Sequence, residues 1–139
     1  MTASVEYQGG LHTLATHLRS GNTLVTDAPV DNKGKGEAFS PTDLLAVSLL
    51  TCKLTTIAIV AQNRGLPDIK MAGTVNKIMA DSPRRVAKLE VSIELFGSDV
   101  MDEQQRHVLE GAARTCPVAK SLHPDVTVEV QFAWLPART

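Results

Sequence analysis

The sequence is short of most residues that would announce a chemistry. Aromatics are few, with Trp134, Tyr7 and three Phe in 139 residues, so any core must be largely aliphatic. Its charges nearly cancel, to a formal net charge of -1. That balance offers no electrostatic case for nucleic acid or an anionic membrane surface, both of which favour strongly basic faces. Cysteine is rare: Cys52 and Cys116 are the only two, and they form no CxxC pair. His12, His17, His107 and His123 show no ligand spacing such as HxxxH, so no metal is expected. The opening MTASVEYQGG lacks the basic-then-apolar plan of a secretory signal. The longest apolar run, Leu44 to Ala61, contains Lys53 and several hydroxyls and falls short of the roughly 20 residues of a membrane span. These absences predict one cytoplasmic domain over residues 1–139, with no nucleic-acid or membrane partner.

What remains is a pair of free thiols. A permanent disulfide is not expected where the compartment keeps thiols reduced. The thiols are then either small buried hydrophobes or reactive groups.

Hydrophobic content of 43% supports a real core. Val5 to Tyr7, Leu11 to Leu18 and Thr23 to Thr26 read as short strands separated by Gly9-Gly10 and Ser20-Gly21-Asn22. Asp27 to Phe39 reads as a loop. Its GKGE segment lacks the GxxxxGK[ST] pattern of a phosphate loop. Ser40-Pro41-Thr42-Asp43 is a helix start, with Ser as N-cap, Pro at the first helical position and an acidic side chain to close a capping box. The helix should run from Pro41 to about Asn63 and stop at Gly65. Its apolar residues do not keep to one face, which calls for cover nearly all round and hence for a second subunit. Cys52 lies at its middle.

Ile69 to Ala80 and Ala87 to Phe96 read as two strands joined through Asp81-Ser82-Pro83. In the second, Leu89, Val91, Ile93 and Leu95 alternate with Glu90, Ser92 and Glu94. Met101 to Thr115 reads as a helix with Val108, Ala112 and Cys116 at spacing four. Pro117 pushes Cys116 out of the helical region, so a short helix restarts at Pro117 to Leu122. Thr127 to Leu135 is a last alternating strand. The order β-β-β-α-β-β-α-β is an α+β plan.

Reactivity follows the thiolate. Local physics favours Cys116, which precedes Pro117 as N-cap of a short helix. Cys52 has no such help, since Lys53 projects about 100° away around the helix.

SPTDLLAVSLLTC (Ser40 to Cys52), followed later by CPVAKSL (Cys116 to Leu122), resembles the superfamily of osmotically inducible protein C and organic hydroperoxide resistance protein (OsmC/Ohr). TDAPVDNKGKGEAFSP (Thr26 to Pro41) is similar to an OsmC-like subgroup rather than to the Ohr enzymes proper. The resemblance spans the whole chain. It implies an intertwined homodimer with a long buried central helix, and a cytoplasmic peroxidase that reduces organic hydroperoxides and, less well, hydrogen peroxide. Cys52 would be peroxidatic and become a sulfenic acid, and Cys116 would resolve it to a disulfide. A dithiol reductant, lipoyl groups in the best-known members, would restore the thiols. No cofactor is called for.

In the Ohr enzymes an Arg stabilises the thiolate and a Glu orients the Arg. That Glu position is Thr42 here. Asp43, next to it, matches the acidic residue of other OsmC-like members, although the capping box is the competing explanation. Glu37 is a second acidic candidate from the loop. Arg19 lies in the region where the family supplies its Arg, and an exposed strand-end Arg is its ordinary alternative; His17 lies nearby in the same stretch. The competing function is an OsmC-like ligand-binding or redox-sensing protein with little peroxidase activity.

Overall fold

The structure, a computed structural model, describes residues 1–138. Element order is β1 (Ala3–Tyr7), β2 (His12–His17), β3 (Thr23–Asp27), a 3-10 turn at Val30–Asn32, α1 (Pro41–Asn63), β4 (Lys70–Ala80), β5 (Arg85–Phe96), α2 (Glu103–Arg114), α3 (Pro117–Ser121) and β6 (Thr127–Leu135). The expected α+β order is thus observed. The chain divides into two compact units, Met1–Leu45 and Ala46–Thr139, with α1 running from the first into the second.

The first unit is an antiparallel sheet in the order β1-β2-β3, with Val5 opposite Ala15 and Leu14 opposite Val25. Apolar side chains stand open along it, among them Val5, Tyr7, Leu24 and Val25. The residues it buries are polar: Thr26, Asp27 and Ser40. Thr13 and Thr26 hydroxyls bond across β2 and β3. The GKG stretch is packing rather than a phosphate cradle. Gly34 N–H donates to the Pro29 carbonyl (2.9 Å), and any Cβ at Gly34 would overlap the Ala28 carbonyl.

Both ends of α1 obey their local chemistry. Ser40 Oγ accepts from Asp43 N–H (3.0 Å) while Asp43 Oδ2 accepts from Ser40 N–H (2.9 Å), the reciprocal pair of a capping box. At the other end Gly65 takes φ +67°. Gly65 N–H donates to Gln62 (3.1 Å) and Leu66 N–H to Ala61 (2.9 Å), which is a Schellman stop.

The second unit carries the apolar core. Its sheet has the order β4-β5-β6, antiparallel between β4 and β5 and parallel between β5 and β6. A parallel neighbour needs a crossover, which α2 and α3 provide. The central strand buries Val86, Leu89, Val91, Ile93 and Leu95, the alternation expected from its sequence. The second unit's part of α1 contributes a single stripe to the core: Ala46, Leu49, Lys53, Ile57 and Ala61. These fall three or four residues apart, so they share one face. Leu50 covers Gly73 on β4, where a Cβ would come within 2.8 Å of its Cδ1. Burying each of Leu49, Ile57, Leu89 and Ile93 contributes roughly 1.5–3 kcal/mol.

Two local expectations are corrected. In α2 the buried positions are Leu109, Ala112 and Ala113, continued by Cys116, so Ala112 and Cys116 face inward as their spacing suggested while Val108 is only half-buried. The helix itself starts at Glu103 instead of Met101, because Asp102 and Gln105 form its capping box. Second, α1 spans 23 residues with a hydropathy of 2.1 and meets the length and composition of a membrane span, contrary to the reading of its apolar run. Its basic residue, Lys53, lies on the stripe that enters the core.

Candidate active site

Cys52 and Cys116 are both free thiols in the second unit; Cys116 belongs to its core cluster and Cys52 packs against it. Their settings differ. Cys116 is completely buried, at 0% exposure, whereas Cys52 is partly exposed at the edge of the buried stripe of α1. Cys116 occupies the N-cap of α3 with extended backbone (φ -65°, ψ 149°), as Pro117 requires. Its side chain makes no capping hydrogen bond, and α3 is only five residues long. The local argument from a helix N-terminus is therefore weak in the folded chain.

The residue that sequence reasoning set aside is the one the fold brings in. Lys53 is 1% exposed, the largest of the fully buried side chains. It sits one turn after Leu49 and one turn before Ile57, in the middle of the apolar stripe. Its Nζ donates to the Ala113 carbonyl at 2.7 Å, near the end of α2 and three residues before Cys116. Burial pushes its pKa below the usual 10.5. The charge available on Cys116 opposes that shift, Arg114 adds to it, and Cys52 opposes it more weakly. The available signal was the spacing 46, 49, 53, 57, 61. A reader who treats α1 as uniformly apolar does not see that Lys53 falls on its inward face.

The other candidates lie in the first unit. Asp43 serves the capping box, as its competing explanation held. Arg19 is exposed in the turn after β2, and no strand holds it. His17 Nδ1 lies 2.6 Å from Ser20 Oγ in that same turn. Glu37 has an exposed side chain, and its backbone N–H donates to Asp27 Oδ2 (3.0 Å). It lines a hollow of about 590 Å³ with Leu24, Val25 and Phe39. Asp27, which the sequence did not single out, is the anchor of this unit: it is buried, and its Oδ1 lies 2.9 Å from His12 Nδ1. The bond to His12, foremost, holds its carboxyl below the usual 3.8. Another hollow of about 700 Å³, lined by Arg106, His107, Glu110 and Trp134 among others, contains neither cysteine. Among the described residues no cluster of three or more His, Cys, Asp or Glu could hold a metal ion.

A buried thiol and a half-exposed one at the same core cluster, with a buried amine whose charge feels both, can support thiol–disulfide chemistry. The exposed sulfur is the one an incoming molecule can reach. Comparison with known proteins bears on which chemistry. The family model described as OsmC-like protein matches residues 34–131. A solved structure from Psychrobacter arcticus 273-4, named for osmotic stress induction and detoxification response, shares 47% identity over 96% of each chain with a TM-score of 0.88. The organic hydroperoxide resistance protein OsmC from Legionella pneumophila has the same fold at 20% identity, over 96% of this chain and 97% of its own, with a TM-score of 0.72. So does the organic hydroperoxide resistance protein OhrB of Bacillus subtilis, at 20% identity over 96% and 98% with a TM-score of 0.64. No curated protein matches the chain.

Proposed function

The chain belongs to the OsmC-like protein family, and on that premise we propose that it is a cytoplasmic thiol peroxidase, acting on organic hydroperoxides through Cys52 and Cys116. The observation that carries the reading is the unequal burial of the two thiols at one core cluster. A peroxide must reach the sulfur it oxidises, which favours Cys52 for attack. The Cys52 thiolate displaces alkoxide from the O–O bond, the alkoxide takes a proton and leaves as alcohol, and Cys52 becomes a sulfenic acid. Cys116, shielded from peroxide, is suited to the second step. Its sulfur displaces the sulfenic oxygen as water, and the pair closes to a disulfide. An external dithiol, for which a lipoyl protein is the candidate, then attacks that disulfide and returns both thiols.

Hydrogen peroxide should be the poorer substrate, as the resemblance to the hydroperoxide-reducing members of the family implies. Asp43, Glu37 and Arg19 have no assigned step here; Asp43 is accounted for by the helix cap, and the other two are exposed. A homodimer is part of the proposal. Its support is the apolar surface that one chain leaves open, including Val5, Tyr7, Val25 and Phe39, together with Leu45 and Ile59 on α1.

The test is single-turnover oxidation of the reduced protein by cumene hydroperoxide and by hydrogen peroxide, in wild type, Cys52→Ser and Cys116→Ser. Rapid use of the organic peroxide, lost in Cys52→Ser and leaving a trappable sulfenate in Cys116→Ser, is the expected pattern. Rates no faster than free cysteine in all three would refute peroxidase activity and leave a ligand-binding or redox-sensing protein.

A further inference from the structure

Lys53 is an expensive residue to keep where it is. An ammonium in an apolar core loses its hydration, and several kcal/mol must be recovered from partners. Among the described residues its hydrogen-bond acceptor is the Ala113 carbonyl, a neutral group. The groups whose charge acts on Lys53 are Cys116, Arg114 and Cys52, and no carboxylate is among them. Arg114 is a cation, exposed and stacked 5.4 Å from the Phe132 ring. Among the described residues, the negative charge that acts on Lys53 is therefore that of a thiolate.

This gives the buried group two states of equal net charge. A neutral amine beside a thiol and an ammonium beside a thiolate differ only by one proton's position. The core can pass between them without gaining or losing charge, and low dielectric does not oppose the transfer as it opposes isolated ionisation. The carbonyl that fixes Nζ belongs to Ala113, at the end of the helix that leads directly into Cys116. The amine is thereby held by the segment that carries the resolving sulfur.

We propose that Lys53 is the proton-transfer residue of disulfide closure, taking the Cys116 proton as that sulfur attacks and returning it to the group that leaves Cys52. The inference rests on the peroxidase reading for the identity of that leaving group. In the peroxidase cycle, neutral Lys53 accepts the Cys116 proton, the Cys116 thiolate forms the S–S bond, and the Cys52 S–O bond breaks. Hydroxide leaves with the proton from the Lys53 ammonium. Sulfenic acid and thiol become disulfide and water, and Lys53 ends neutral beside an uncharged disulfide, which is the state a dry core tolerates best. An arginine at this position would supply charge but could not shuttle a proton, because it does not deprotonate in proteins.

The test avoids peroxide, so that it stands or falls separately. A chromogenic aromatic disulfide converts Cys52, the accessible thiol, to a mixed disulfide with release of one aromatic thiolate. Closure by Cys116 then releases a second. The rate of that second release is followed against pH in wild type, Lys53→Met and Lys53→Arg. Methionine matches the lysine stem and removes the buried charge, so the variant's fold is protected. In Lys53→Met, closure at neutral pH is expected to slow by about a hundredfold, the usual scale of general acid–base assistance. Its rate should then climb with pH as an unassisted thiol does. Lys53→Arg is expected to remain slow. Closure at the wild-type rate in Lys53→Met, or full rescue by arginine, would overturn the proposal. A wild type that closes fast here yet ignores cumene hydroperoxide would leave Lys53 in its role and remove only the peroxidase reading.

Discussion

The two units of this chain bury opposite kinds of side chain. In Met1–Leu45 the buried residues are Thr26, Asp27 and Ser40, while valine, leucine and tyrosine stand in solvent. In Ala46–Thr139 the buried residues among those described are apolar, with Lys53 as the polar exception. One unit is organised by polar bonds around Asp27 and leaves its apolar side chains open. The other is organised by apolar packing, and its buried amine is bound to the Ala113 carbonyl, three residues before Cys116. A lone polar group in an otherwise apolar core is costly, so its position is a stronger pointer to chemistry than any of the polar residues in the first unit.

The largest effect that bears on this contrast should come from deleting core volume. Ile57→Ala is expected to lose about 2–5 kcal/mol, since Ile57 is completely buried and packed in the second unit's cluster. The matching change in the first unit, Val25→Ala, should stay within about 0.5 kcal/mol in dilute protein, because Val25 is exposed. Urea unfolding measures both. If the loss at Val25 grows with protein concentration, a partner copy covers that face.

The next effect is a pH dependence carried by Lys53. Its pKa is lower in the folded chain than the ordinary 10.5, so below that value the unfolded chain holds more protons. Stability of the reduced protein should therefore rise as pH rises towards 10.5, and Lys53→Met should flatten that rise. Melting temperatures of the two proteins across the alkaline range decide it; parallel curves would mean that the buried amine keeps its proton in both states.

Smaller again is the helix cap. Ser40→Ala removes the Oγ that accepts from Asp43 N–H and should cost about 1 kcal/mol in urea unfolding. That loss should come without slowing peroxide consumption, which separates the cap from catalysis at the Asp43 end. The smallest is acid sensitivity of the first unit. Asp27 has its carboxyl held down by His12 foremost, so its contribution is present above the ordinary 3.8 and is lost as pH falls through its lower folded value. Asp27→Asn should remove that acid-side component; an unchanged acid transition in the variant would show that the His12 contact stabilises nothing.

Much of this was legible in the sequence for reasons that can be named. Ser40 to Asp43 and Gly65 mark the ends of α1 because capping depends on immediate neighbours. The alternation from Leu89 to Leu95 marks β5 because the pleat has a period of two. The cysteines were legible as candidates by rarity and by their flanking motifs. Lys53 was not, because which stripe of an apolar helix faces inward depends on elements that follow it by dozens of residues, here Ala113 on α2. Arg19 carries no such local signal: it stands exposed in the turn after β2, which a strand-end arginine does whether or not a site uses it. The start of α2 was misplaced because Met101 is apolar enough to read as helical, although Asp102 supplies the cap.

The central claim is that Cys52 and Cys116 form one redox pair. It is tested most directly by adding one equivalent of cumene hydroperoxide to the reduced protein and weighing the intact chain. Loss of the mass of two hydrogens, with Cys52 and Cys116 joined in the peptide map, is the predicted result. A chain that keeps both thiols, or gains oxygen on Cys52 without ever closing to Cys116, would contradict it.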